Sequence, residues 1–481
     1  MVSAGGQPEA RCHEHSCPHP HHRPEHRPEH RRGAAVRLAN PWSTTLGERL
    51  VLAHDEGYDA ARSCWNLAAD LRPCAVVRPH SAEETAAVVR AVADLGLRIA
   101  PVSTGHAAAT LAERDLGDVV MLRLDELTGV TVDPVARRAR VLGGTLWNDV
   151  VTAAAAHGLA APHGSAGDVS VAGYLLSGGL SFYGRRHGFA AEAIRSAEIV
   201  TAAGRLVHAS ATENPALLTA LRGGGGNLGI VVSLEIDLLP YADVYAGMLL
   251  WPAAAGAQVA PAWAEWARHA PEHITTSLRL MRFPPLPELP PFLSGREVLV
   301  IDGASVAGDA EAEAALAPLR LLEPEMDTFA RMPAAHLVQV HMDPPEPMPG
   351  VSDHRMLGRL DEAGVRAFIE TFATTPVMIA ELRQLGGALT RPGSTSLRPL
   401  TGEAALFTLA PAPTPELLAL GTTATAAFCT ALEPWSIDEA AITFSDRPAD
   451  VSGCYADADA LRRTVAELDP AGTLVAQHPL R

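Results

Sequence analysis

The chain has 481 residues, too many for one ordinary hydrophobic core and enough for two domains. Its net charge of −17 comes with no basic stripe interleaved with aromatics, which argues against nucleic-acid binding, because neutralising phosphates takes clustered Lys and Arg. No apolar run reaches the length of a membrane span, and the first thirty residues carry no hydrophobic signal core. A soluble, cytoplasmic protein with no membrane partner is expected. Six scattered cysteines in a chain of this length predict no disulfide framework.

Residues 1–37 are rich in His, Pro and Arg and too poor in apolar side chains to fold alone, so a disordered tail is expected. Within it, Cys12, His13, His15 and Cys17 are metal-ligating types, but no second half-site follows, and no metal centre is assigned. The spacing then predicts a helix over 58–71 and a strand over 75–78. Ser81 and Glu84 form a capping box that opens a helix to about Leu95, and a strand follows over 97–101. That β-α-β unit has the length of a parallel crossover. Strands are expected at 119–122, 129–133 and 138–142, and a helix at 145–157 ended by Gly158. Alternating elements continue to about Pro240.

From Val244 the pattern shifts. Strands with period-2 features are expected at 246–250, 277–281, 298–303 and 377–384, and helices at 261–270, 310–317 and 361–372. Proline-rich breaks separate them. A last helix is expected at 458–468. The domain reading is a first part over 38–240, a second domain over 241–430, and a return to the first over 431–481.

Three segments carry chemistry. In Pro101-Val-Ser-Thr-Gly-His-Ala107 a strand ends in a tight turn that presents backbone N–H groups, a concave array suited to a pyrophosphate, with the His106 imidazole immediately beside it. In Gly164–Gly179 five glycines let the backbone approach a flat or phosphorylated group, while Val169, Val171, Leu175 and Leu176 argue against a flexible linker. The third segment, Leu221–Val232, holds a literal GxGxxG at Gly224, Gly226 and Gly229. A dinucleotide fingerprint follows a strand and opens a helix; here a helix comes before and a strand after, so that reading is rejected.

Taken together, these segments resemble the FAD-linked oxidases of the vanillyl-alcohol-oxidase fold, specifically the berberine-bridge-enzyme-like branch, over nearly everything from about Gly57 to Arg481. The family's Arg-Ser-Gly-Gly-His-Ser motif is matched by Val102-Ser-Thr-Gly-His-Ala107. Its Val-Gly-Val-Gly-Gly segment is matched by Val169-Ser-Val-Ala-Gly173 with Ser177-Gly-Gly179, its glycine-rich Asn segment by Arg222–Val231, and its early Tyr-Asp stretch by Tyr58-Asp-Ala-Ala-Arg62 with Trp65-Asn66. The stretch from Arg186 to Glu192 is similar to the one that reaches the adenine ribose.

The resemblance implies an α+β fold: a PCMH-type two-subdomain FAD-binding domain with an inserted α/β substrate domain, an antiparallel sheet backed by helices. It implies FAD held by Pro101, Val102, Ser103, Thr104, Gly105, His106, Ala107, Gly164, Ser165, Val169, Ala172, Gly173, Gly179 and Ile230. It also implies a histidyl bond from His106 to the flavin 8α-methyl. The cysteine of bicovalent members is replaced by Ala166, so His106 is the single possible link. Ser170 and Ala172 stand where the family has glycine. The implied reaction is hydride abstraction from an alcohol, sugar or secondary-metabolite substrate, with O2 reduced to peroxide. The alternatives are a dehydrogenase with another acceptor and a degenerate flavoprotein without activity. Glu381 and Tyr174 are the candidates for the catalytic base, with His341 a third. The family's Asn-Tyr pair near the end is replaced by Thr443-Phe444.

Overall fold

The structure is a computed structural model, and it describes residues 47–446 and 450–480. The expected tail at 1–37, with its Cys12–Cys17 motif, lies outside the described residues. Three sheets carry the fold. The first contains β1 (Leu50–Leu52), β2 (Ala75–Val77), β3 (Arg98–Pro101) and β4 (Val119–Leu122) in the order β1-β2-β4-β3. Both β2 and β3 run parallel to β4. The crossover helix Ala82–Asp94 starts where the capping box places it: Ser81 accepts from the Glu84 N–H, and Val88, Val89 and Val92 turn into the core.

The second sheet is antiparallel, in the order β5-β6-β9-β7-β8: β5 (Val130–Asp133), β6 (Arg138–Leu142), β7 (Ile194–Val200), β8 (Leu206–Ser210) and β9 (Ile230–Asp237). The glycine-rich stretch before β9 follows the helix Pro215–Leu221, so the literal GxGxxG sits in a helix-to-strand loop.

The third sheet has eight antiparallel strands: β10 (Asp243–Pro252), β11 (Ile274–Arg282), β12 (Glu297–Ser305), β13 (Met326–Asp327), β14 (Ala330–Pro333), β15 (Gly350–Leu357), β16 (Ile379–Gln384) and β17 (Ala404–Pro411). One face packs on the helices Gly256–His269, Asp309–Arg320, Glu362–Thr374 and Pro415–Ala431. Leu278, Leu280, Ile301, Leu382 and Leu406 meet Trp263, Leu316, Phe368 and Phe428 there. Because side chains alternate across a strand, the same strands must show their other residues to the opposite face. In β11 and β16 those residues are Ser277, Arg279, Glu381 and Arg383.

One expected element is corrected, and the structure adds elements that the pattern did not mark. The helix from Tyr58 stops at Arg62 rather than Leu71, because Ser63 turns extended and the next residues bond to the turn at 104–105. Within the glycine-rich segment Gly164–Gly179, Val171–Leu176 forms a short helix capped by the Ser170 hydroxyl. Strands β15 and β17 went unassigned. So did the helix Pro415–Ala431, whose Ala- and Thr-rich sequence carries no charge after Glu416 to mark a polar face.

The chain returns to the first two sheets after the third. Leu461 and Val465 of the helix Ala458–Leu468 join the core beside β7 and β9. Residues 473–475 run alongside β3: the Ile99 N–H donates to Thr473 and the Val475 N–H to Ile99, at 2.8 and 2.7 Å. Between the early part and the third sheet, the buried Arg185 donates to the carbonyls of Leu385, Pro271, Ile274 and Ala270. Replacing it with Met leaves four carbonyls without their charged donor, so Arg185→Met should cost about 3 kcal/mol or more, seen as a lowered urea midpoint at unchanged slope.

Candidate active site

The turn after β3 is tied to the segment 64–66 by backbone hydrogen bonds. The Trp65 N–H donates to Thr104 at 2.8 Å and the Asn66 N–H to Gly105 at 3.4 Å. Gly105 has φ +80°, and a Cβ there would lie 2.5 Å from the Cys64 Cβ, so the two segments pack this closely only with glycine. The result is that the Trp65 indole lies flat on the His106 ring, with centroids 4.3 Å apart and planes 16° apart.

His106 is hydrogen-bonded at one ring nitrogen and faces a carboxylate with the other. Nδ1 is 2.8 Å from the Thr104 hydroxyl, and Nε2 is 3.4 Å from the Asp168 carboxylate. The second carboxylate oxygen of Asp168 accepts from the Trp65 indole N–H at 2.5 Å. Burial alone would raise the Asp168 carboxyl; the neighbouring His106 and the Trp65 N–H outweigh it and hold the group below its ordinary value. Sequence reasoning missed Asp168 and the ring-stacking role of Trp65. The signal for Asp168 was a carboxylate inside an otherwise uncharged glycine-rich segment.

This turn forms one wall of a cavity of about 390 Å³. The cofactor residues expected from sequence line it, from Pro101 to Ala107 and at Gly164, Ser165, Val169, Ala172, Gly173 and Ile230, with Gly225 and Gly226 beside them. Gly179 does not. It has φ +70°, and a Cβ there would meet the Tyr174 ring at 2.5 Å, so it packs behind Tyr174. Tyr174, which does line the cavity, is buried with its hydroxyl unpartnered among the described residues; burial raises its phenol, against a smaller opposing pull from Arg383.

The facing wall is the polar face of the third sheet. Glu381 accepts from the Ser277 hydroxyl at 2.8 Å and from Arg383 Nε at 2.7 Å, and His341 Nε2 lies 3.5 Å from its other oxygen. Behind them Asp302 pairs with Arg279 and lies 2.9 Å from His341 Nδ1, while Arg279 also donates to the His341 carbonyl at 2.8 Å. Arg279, Asp302, His341 and Glu381 are buried and Arg383 is largely so, and an ion network this deep persists only because each charge has an opposite neighbour. Burial works to raise the Glu381 carboxyl; Arg383 and His341 reverse this and hold it well below the usual carboxylate range, so it is ionised at neutral pH. Burial and Arg279 both act to lower the His341 imidazole. The carboxylates of Asp302, Asp343 and Glu381 overcome them and raise it to about 9. Phe407 and Phe444 complete this wall, with Arg383 5.0 Å over the Phe444 ring. Glu381 and Arg383 thus share the cavity face, whereas Gln384 turns to the helices and donates to the Ala267 carbonyl.

The residues fit an FAD. The N–H groups of residues 103–107 donate to no backbone carbonyl among the described residues, and the Tyr174 hydroxyl is a buried polar atom without a hydrogen bond. Comparison with known proteins agrees. Residues 73–210 match the FAD binding domain family. The (R)-6-hydroxynicotine oxidase of Paenarthrobacter nicotinovorans is 37% identical over 217 residues, 45% of this chain and 46% of that protein. The xylooligosaccharide oxidase of Thermothelomyces thermophilus is 38% identical over 164 residues, 34% of this chain and 33% of that protein. The chain thus spans less than half the length of these relatives. The structure of Physcomitrella patens BBE-like 1 superposes with a TM-score of 0.79 at 18% identity, covering 94% of this chain and 99% of that one. The chain therefore carries an FAD-binding domain and has the α+β fold of the PCMH-type FAD-linked oxidoreductases, the berberine-bridge-enzyme-like proteins among them. No helix among the described residues is long and apolar enough to cross a membrane.

Because the folded state holds His341 above its ordinary 6.5, protonation of His341 adds stability that is fully present below that value and is lost as pH rises to about 9. Chemical denaturation of wild type should show stability falling between these limits, and His341→Gln should remove that component of the slope.

Proposed function

We propose that the protein is an FAD-dependent oxidase that takes a hydride from an alcohol or amine carbon of a small molecule and reduces O2 to peroxide. One observation carries the reading: the FAD-domain turn ending in His106 and the ionised, buried Glu381 line the same cavity. Two relatives are oxidases named for a hydroxynicotine and a xylooligosaccharide, and those substrates suggest the class of C–H bond. In this reading residues 38–240 and 431–481 form the cofactor part, and 241–430 the substrate part.

Bound FAD would supply the hydride acceptor and pass its electrons to O2. The chain's own residues do the rest. Glu381 accepts the substrate O–H or N–H proton, and its pairing with Arg383 and Ser277 fixes the carboxylate's direction. His341, charged at neutral pH, balances Glu381 and orients it. The Tyr174 phenol keeps its proton and offers a donor to whatever lies against it. His106 forms the single covalent link to the flavin, since Ala166 cannot supply a second.

Acid precipitation of the purified protein tests the link. Flavin fluorescence should stay in the pellet for wild type and leave it for His106→Ala; flavin wholly in the wild-type supernatant refutes covalency. Substrates screened by oxygen consumption should yield peroxide. Flavin bleaching without oxygen uptake would point to a dehydrogenase, and no bleaching with any amine, alcohol or sugar to an inactive flavoprotein. With a turned-over substrate, Glu381→Gln should slow anaerobic flavin reduction by about 10²-fold or more.

A further inference from the structure

We propose that Asp168 is the positioning residue for flavin attachment, holding the proton of His106 on Nε2 so that Nδ1 is the nitrogen that bonds the flavin. This rests on the reading of His106 as the covalent link. The geometry is specific to four side chains. Asp168 presents one carboxylate oxygen to His106 Nε2 at 3.4 Å and anchors the other on the Trp65 indole N–H. Nε2 is buried and lacks a hydrogen bond, so a small ring rotation brings it onto the carboxylate. A carboxylate only accepts, so the nitrogen facing it must carry the hydrogen. That leaves the lone pair on Nδ1, and the Thr104 hydroxyl, which can donate, sits 2.8 Å from it.

Asp168 itself is rigidly placed. The Trp147 N–H donates to the Val169 carbonyl at 3.0 Å and the Asn148 N–H to the Gly167 carbonyl at 2.7 Å, so both of its neighbours are tied to the start of the helix Trp147–Ala155. Stacking of Trp65 on the imidazole fixes the ring plane. A group pinned at both ends can hold a tautomer; a loose surface carboxylate cannot.

The step balances as follows. A bond forms between His106 Nδ1 and the flavin 8α-carbon, one C–H bond of that methyl breaks, and its proton leaves to solvent. The proton on Nε2 passes to Asp168 and then to solvent. The two electrons released enter the isoalloxazine and leave to O2, which with two protons gives peroxide. Asp168 is never in contact with the flavin in this scheme; it acts through the imidazole.

The test uses apoprotein incubated with FAD in air, with covalent flavin read as fluorescence of the denatured band and FAD binding read separately by equilibrium dialysis. Asp168→Asn, which keeps an acceptor for Trp65, should bind FAD as wild type does but incorporate it at least ten-fold more slowly. Asp168→Glu should restore part of the rate. NMR of the flavin peptide from wild type should show the Nδ1 isomer. An Asp168→Asn rate equal to wild type, or an Nε2 isomer, overturns the proposal while leaving the covalent reading intact. Flavin fully released from denatured wild type overturns both. If Asp168→Asn fails to fold, Trp65→Phe, which keeps the stack and removes the N–H that anchors Asp168, should slow incorporation; a wild-type rate there also overturns it.

Discussion

The hydrogen bonds between residues 64–66 and the turn at 104–105 decide where everything else in the site can stand. They stop the early helix at Arg62, lay the indole of Trp65 on His106, and bring its N–H to Asp168. Only glycine at 105 allows the approach, because any side chain would overlap Cys64. The loop that carries Asp168 is fastened in turn to the helix Trp147–Ala155. Four chain segments distant in sequence thus converge on one imidazole, and none of the fastenings depends on the cofactor.

The facing wall is built on a different principle. A twisted antiparallel sheet covered by helices on one face must do something with the residues on the other. In β11, β12 and β16 several of those residues are charged, beside an apolar patch of Met281, Val298, Val300 and Ile379, and their burial would be costly if any charge stood alone. Arg279, Asp302, His341, Glu381 and Arg383 neutralise one another in sequence across the strands, with Ser277 filling a remaining site on Glu381. The network therefore fixes the direction of Glu381 while keeping it ionised. Rigid charge on one side and a hydrogen-bonded turn on the other leave the cavity between them shaped before anything enters it.

Much of this was legible in the chain itself, and the parts that were not have physical reasons. The capping box at Ser81 and the strand β4 read cleanly because local chemistry alone specifies them. Gly164 and Gly167 mark close approach because a Cβ there would run into Tyr174 and Asn148, whereas Gly173 has room for one. The helix at 58–71 failed because its end is set by long-range bonds to residue 104, which no local window contains. Strand β15 was hidden behind the prolines at 344–349, and the helix Pro415–Ala431 by its uncharged composition. In β16 the alternation told that Glu381 and Arg383 share a face, but which face meets the cavity depends on where the helices pack. Asp168 was missed because its meaning lies in Trp65, 103 residues away.

The strip at 473–478 closes the arrangement: it runs beside β3, its Gln477 amide donates to the carbonyl of Ala107, and the His478 carbonyl takes a donor from Asn227. Gln477 lies 370 residues beyond Ala107. A turn and a strip this far apart in sequence meet only by closing a very long loop, so this edge of the cavity forms together with the global fold rather than ahead of it.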